Sequence, residues 1–64
     1  MSTDRFVRER ERKEITGVPT STWYAMMGEG EAPSPVNIGP RAVAWLLSEL
    51  SDWQSNRIAE RDAA

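Results

Sequence analysis

The sequence predicts a mainly α fold with one small β-hairpin, in the order helix, turn, helix, hairpin, helix. Three observations predict it. Residues 9–15 (ERERKEI) are a run of strong helix formers with alternating charge. Trp23, Met26 and Met27 stand at i, i+3 and i+4, the spacing of a narrow apolar stripe on a second helix. Pro33 and Pro35 then exclude helix, and two short apolar segments, Val36-Asn37-Ile38 and Ala42-Val43-Ala44-Trp45, flank a Gly39-Pro40 turn that carries Arg41.

Each element has its own local reason. Met1 to Asp4 are polar and expected to fray, and Arg5-Phe6-Val7 reads as a very short extended segment. The first helix has only Ile15 as apolar content, so the aliphatic stem of Arg8 or Arg12 is expected to cover core. Gly17 can take the left-handed conformation that ends a helix, and Pro19 cannot continue one but suits the first turn of the next. The hydroxyls of Thr20, Ser21 and Thr22 are expected to cap a second helix over about residues 20–29, which Gly28 and Gly30 terminate. Two helices joined by so short a turn form a helix-turn-helix by geometry.

In the hairpin, Val36 and Ile38 share one face by period two, as do Val43 and Trp45, so one side is expected to pack on the helices. Ser48 reads as the N-cap of a last helix reaching Ile58 or beyond. Its inner stripe is Leu50, Trp53, Arg57 and Ile58, with the cation near the end that the helix dipole favours. The expected core is Trp23, Met27, Val36, Ile38, Val43, Trp45, Leu50 and Trp53.

Sixty-four residues imply one domain, 1–64, with an ordered part of about 5–60. With no cysteine and no histidine, thiolate sites, thiol nucleophiles and the commonest general base and metal ligand are excluded. A non-enzymatic, cytoplasmic protein with no cofactor, no metal and no small-molecule substrate is expected. No apolar run approaches a membrane span, and the charged N-terminus is not a signal peptide. The formal net charge of −2 argues against indiscriminate nucleic-acid binding. Distribution qualifies the sum, because five of the eight cations are Arg5, Arg8, Arg10, Arg12 and Lys13. The last segment instead carries Glu49, Asp52, Glu60 and Asp62 against Arg57 and Arg61.

Several stretches together carry a family resemblance: Ile15-Thr16-Gly17-Val18, Ser21-Thr22-Trp23-Tyr24, Met26-Met27, Gly30-Glu31 and Pro33-Ser34-Pro35-Val36. It continues through Ile38-Gly39-Pro40-Arg41-Ala42-Val43-Ala44-Trp45 and Ser48-Glu49-Leu50 to Trp53. The chain resembles the AlpA-type phage regulators and excisionases over nearly its whole length. The resemblance implies a compact winged helix-turn-helix related to the MerR DNA-binding domain. The second helix would enter the major groove, and the hairpin, over about residues 35–45, would be a wing on the adjacent backbone or minor groove. The implied activity is sequence-specific DNA binding at the nucleoid by a phage or prophage protein. It would act as an excisionase (recombination directionality factor) or a transcriptional regulator.

The implied DNA-binding residues are Thr20, Ser21 and Thr22 at a phosphate, Tyr24 and Ala25 at base edges, and Arg41 on the wing, with added phosphate contacts from Arg8 and Arg10. Tyr24 reads equally as a core ring with its hydroxyl at the rim, and Arg41 as half of a surface ion pair. Thr20 and Ala25 stand where such proteins commonly carry arginine, Pro19 replaces a usual serine, Ala32 an aromatic and Arg12 an apolar residue. Those departures motivate a second reading, a protein-binding adaptor docking on an integrase or a response regulator. A third is the DNA-recognition domain of a terminase small subunit. Expected partners are double-stranded DNA, an integrase or recombinase, and neighbouring copies of the chain on DNA. An acidic last helix would suit the last of these, or would be an ordinary solvated face.

Overall fold

A computed structural model describes residues 4–63. The elements run β1 (Phe6–Val7), α1 (Glu9–Thr16), α2 (Thr20–Gly28), β2 (Val36–Gly39), β3 (Ala42–Leu46) and α3 (Leu47–Ala63). This is a winged helix-turn-helix: α1, a three-residue turn and α2, then the β2–β3 wing, then α3. Of the expected fraying at Met1–Asp4, residues 1–3 lie outside the described residues, as does Ala64, whereas Asp4 is held in place by bonds from Ser48.

Glu9 and Glu11 place negative charge in the first turn of α1 and Lys13 places a cation in its last, both complementing the helix dipole. Gly17 closes α1 at φ 70°, donating its N–H to the Lys13 carbonyl at 2.8 Å. Pro19 is the N-cap of α2, and no side chain caps that helix. The hydroxyls of Thr20, Ser21 and Thr22 therefore do not cap it. They fall inside the first turn, past the one position from which a side chain reaches the orphan amides. At the other end Glu31 N–H bonds the Met26 carbonyl at 2.9 Å and Gly30 N–H that of Met27 at 3.2 Å. With Gly30 at φ 75°, this is a Schellman termination.

The wing is larger than a hairpin. β3 is the central strand of a three-stranded antiparallel sheet of order β1-β3-β2, with Val7 opposite Trp45 and Val36 opposite Ala44. Asn37 pairs with Val43 and Gly39 with Ala42, so Ile38 is the extra residue of a bulge. The bulge breaks the period-two alternation that placed Ile38 in the core, and its side chain is 38% exposed. β3 runs into α3 without a loop, which puts Ser48 inside the first turn rather than at the N-cap. Asp4 supplies the acceptors instead, taking the Ser48 N–H at 3.0 Å and the Ser48 hydroxyl at 2.8 Å. The backbone bond from Ser48, then the hydroxyl bond, hold the Asp4 carboxyl below its ordinary value.

The core is Val7, Trp23, Ala44, Trp45 and Leu50, with Ile15, Val18, Met27, Ala32, Val43, Leu47 and Trp53 packed against it. Val36 is half-buried at its margin. The Trp23 ring meets Trp53 edge-on at 5.2 Å and Trp45 at 6.3 Å. Two indoles also tie down the irregular segment between α2 and β2: Trp45 Nε1 donates to the Pro33 carbonyl and Trp53 Nε1 to that of Glu31, each at 3.1 Å. Trp23 Nε1 is buried without a partner among the described residues, so that ring serves by its packing. Only the first two turns of α3 meet this core. Residues 54–63 are exposed throughout, Ile58 among them at 46%, because the helix outruns the small globule it packs on.

Candidate nucleic-acid interface

α2 has two unlike faces. Trp23 is fully buried and Met27 packs on the core, whereas Thr20, Ser21, Thr22, Tyr24 and Ala25 are exposed. Tyr24 settles between its two readings: its ring lies edge-on to Trp45 at 6.4 Å, yet 47% of the residue is exposed. It is a rim residue with one edge on the core. The N–H groups of the first turn carry no side-chain cap and lie beside the exposed hydroxyls of Ser21 and Thr22.

Arg41 occupies the wing tip, exposed, at φ 62°. Proline before it and a positive φ at its own position are the marks of a type II turn, in which glycine is the usual residue. An arginine there is strained by about 1–2 kcal/mol, and among the described residues it forms no ion pair. Its guanidinium is therefore presented to solvent, not spent on a surface carboxylate.

The predicted residues thus fall into separate groups. Arg10 and Thr20 line one shallow groove at the α1–α2 corner, together with Glu9, Lys13 and Glu14. Arg8, exposed at the N-cap of α1, does not line it, and Arg41 stands apart on the wing.

At this corner the sequence left Glu9 without a role and counted Lys13 only within the basic cluster, and Arg12 has a larger role than its stem implied. Arg12 is buried whole, guanidinium included. Its Nε donates to Glu9 Oε1 at 2.9 Å, Nη2 to Glu9 Oε2, and Nη1 to the Val18 carbonyl at 2.6 Å and Thr16 Oγ1 at 3.2 Å. Its guanidinium carbon also lies 4.8 Å from the Trp23 ring centroid and 5.9 Å from that of Trp45. Glu9 in turn accepts the Thr20 hydroxyl at 2.6 Å. Burial pushes the Glu9 carboxyl up, but the bonds from Arg12 and Thr20 and the nearby cations outweigh it and hold the group below its usual range. The Glu9-to-Arg12 spacing of i,i+3 was the available signal, hidden in a run where every residue pairs with some neighbour.

Over residues 5–58 the sequence matches the family described as Prophage CP4-57 regulatory protein (AlpA). The chain belongs to the AlpA family. It is also 41% identical over 58 residues to the "Uncharacterized protein ORF88" of Enterobacteria phage P4, a match covering 91% of this chain. The chain spans 66% of that relative's length. Against the AlpA resemblance, the residue that replaces an apolar one, Arg12, is accommodated by four hydrogen bonds to Glu9, Val18 and Thr16, and the fold is kept. No helix among the described residues is long and apolar enough to cross a membrane.

Proposed function

We propose that this phage regulatory protein is a sequence-specific DNA-binding protein, acting as an excisionase or a transcriptional regulator and performing no bond chemistry. In this reading α2 enters the major groove and the wing lies on the adjacent backbone or minor groove. The observation that carries it is the exposed, hydroxyl-bearing face of α2 in a member of a regulator family, set on a winged fold. Ser21 and Thr22 with the uncapped amides suit a phosphate, Tyr24 and Ala25 base edges, and Arg41 the backbone or a narrow minor groove. Arg8, Arg10 and Lys13 add phosphate contacts from α1.

A single module of this size buries only about 600–1,000 Å² on DNA, so it works beside neighbouring copies or a recombinase. The net charge of −2 and the missing arginines at positions 20 and 25 favour a second reading, an adaptor that docks on an integrase. Titration of short duplexes tiled across the attachment and promoter regions of its own mobile element separates the two. DNA recognition predicts at least one duplex bound about tenfold or more tighter than its scrambled counterpart. Equal, negligible affinity for all of them, with binding to the recombinase, is the adaptor's result.

A further inference from the structure

A threonine hydroxyl carries one proton to donate and two lone pairs to accept with, so on a base edge it ordinarily serves either sense. At Thr20 that freedom is gone. Its Oγ1 lies 2.6 Å from Glu9 Oε2. An ionised carboxylate only accepts, so the shared proton is the one Thr20 owns. Glu9 cannot turn away, because both of its oxygens are held by Arg12. Arg12 is fully buried and is itself anchored on the Val18 carbonyl and Thr16 Oγ1. A continuous chain of bonds thus runs from the α1–α2 turn to the first residue of α2. Thr20 is exposed there, in the part of a recognition helix that meets base edges.

We propose that Thr20 reads DNA through its lone pairs alone, selecting the exocyclic amino group of adenine or cytosine over the carbonyl oxygen of guanine or thymine. This rests on the DNA-binding reading above. It also separates Thr20 from its neighbours. Ser21 and Thr22 make no side-chain hydrogen bond among the described residues, so their protons stay available to a phosphate. A phosphate oxygen facing Thr20 would set acceptor against acceptor. Glu9 does not repel the duplex, because Arg12 neutralises it. Glu9 is a positioning residue and Thr20 the specificity-determining one.

The experiment is selection from a randomised duplex library by the wild type, Thr20→Val and the double variant Glu9→Ala/Arg12→Leu, each checked for a folded spectrum. Wild type should prefer adenine or cytosine at one base position. Thr20→Val, an exposed near-isosteric change, should lose that preference alone and bind the selected site about five- to tenfold more weakly. The double variant Glu9→Ala/Arg12→Leu removes the acceptor of the Thr20 proton and the guanidinium that needs Glu9 together, so the hydroxyl regains both senses. Its preference at the same position should relax to admit guanine and thymine. A Thr20→Val profile identical to wild type, or a Thr20-dependent preference for guanine or thymine in the wild type, overturns the proposal while DNA binding stands. An unchanged preference in the folded double variant overturns it too. No duplex selected by the wild type would remove the DNA-binding reading itself, and this proposal with it.

Discussion

Arg12 shows how a buried charge is held by a partner on each of its nitrogens. Removing the cation leaves Glu9, whose side chain is 33% exposed, free to hydrate, whereas removing Glu9 strands a guanidinium that is 0% exposed. The two substitutions should therefore differ sharply. Arg12→Leu is expected to change stability by less than about 1.5 kcal/mol and Glu9→Ala to cost about 2–4 kcal/mol, in urea melts at neutral pH. Equal losses would mean that the pair acts as an ordinary surface bridge. Arg41 gives the second residue-scale expectation. Its positive φ makes Arg41→Gly stabilising by about 0.5–1 kcal/mol, while Arg41→Ala stays within about 0.5 kcal/mol. The sequence made the wing-tip cation legible because Gly39-Pro40 announces a turn. It could not make the Glu9–Arg12–Thr20 chain legible, since an alternating-charge run has the same composition whether its members face water or a tryptophan.

At the scale of elements, helix propensity was enough for α1, and turn chemistry with apolar spacing for α2 and both wing strands; their bounds lie within a residue or two of the expected ones. What failed was long-range. Val7 is a core residue because β1 pairs with β3, a contact between segments far apart in sequence that two extended residues cannot announce. Ser48 lost its capping role to Asp4 for the same reason, 44 residues away in sequence. The Ile38 bulge hides in a pattern that still alternates on paper. The segment between α2 and β2 has no ladder of its own and depends on indole donors. Trp53→Phe keeps the ring contact with Trp23 but removes the bond to the Glu31 carbonyl. It should cost about 1 kcal/mol and raise amide exchange over residues 30–35 before the rest of the domain. Uniform acceleration across the chain would show that the tether is not local.

Across the whole molecule, three carboxylates with depressed folded-state pKa values, Asp4, Glu9 and Glu11, set the response to acid. Glu11 is held down by the hydrogen bond from Arg5. A carboxylate whose folded value lies below its unfolded one contributes stability above the unfolded value and loses it as pH falls through the folded one. With ordinary values of 3.8 for Asp and 4.5 for Glu, stability should be level near neutrality and decline from about pH 5 downward. Thermal melts between pH 3 and pH 7 check this, and a domain that gains stability on acidification contradicts it. The charge map also bears on function. Arg8 at the N-cap of α1, Arg10 and Lys13 along it and Arg41 on the wing are exposed, while α3 carries Glu49 and Asp52 in its first two turns and Glu60 and Asp62 on its exposed half. Cations this few can neutralise only about three to five phosphates. The most direct test of the central claim is the salt dependence of affinity for the preferred duplex, measured for the wild type and Arg41→Ala. DNA recognition by α2 and the wing predicts a slope of log affinity against log salt of about −3 to −4.5, reduced by about one unit in the variant. A wild type that binds no duplex at low salt, or a slope that Arg41→Ala leaves untouched, would contradict it.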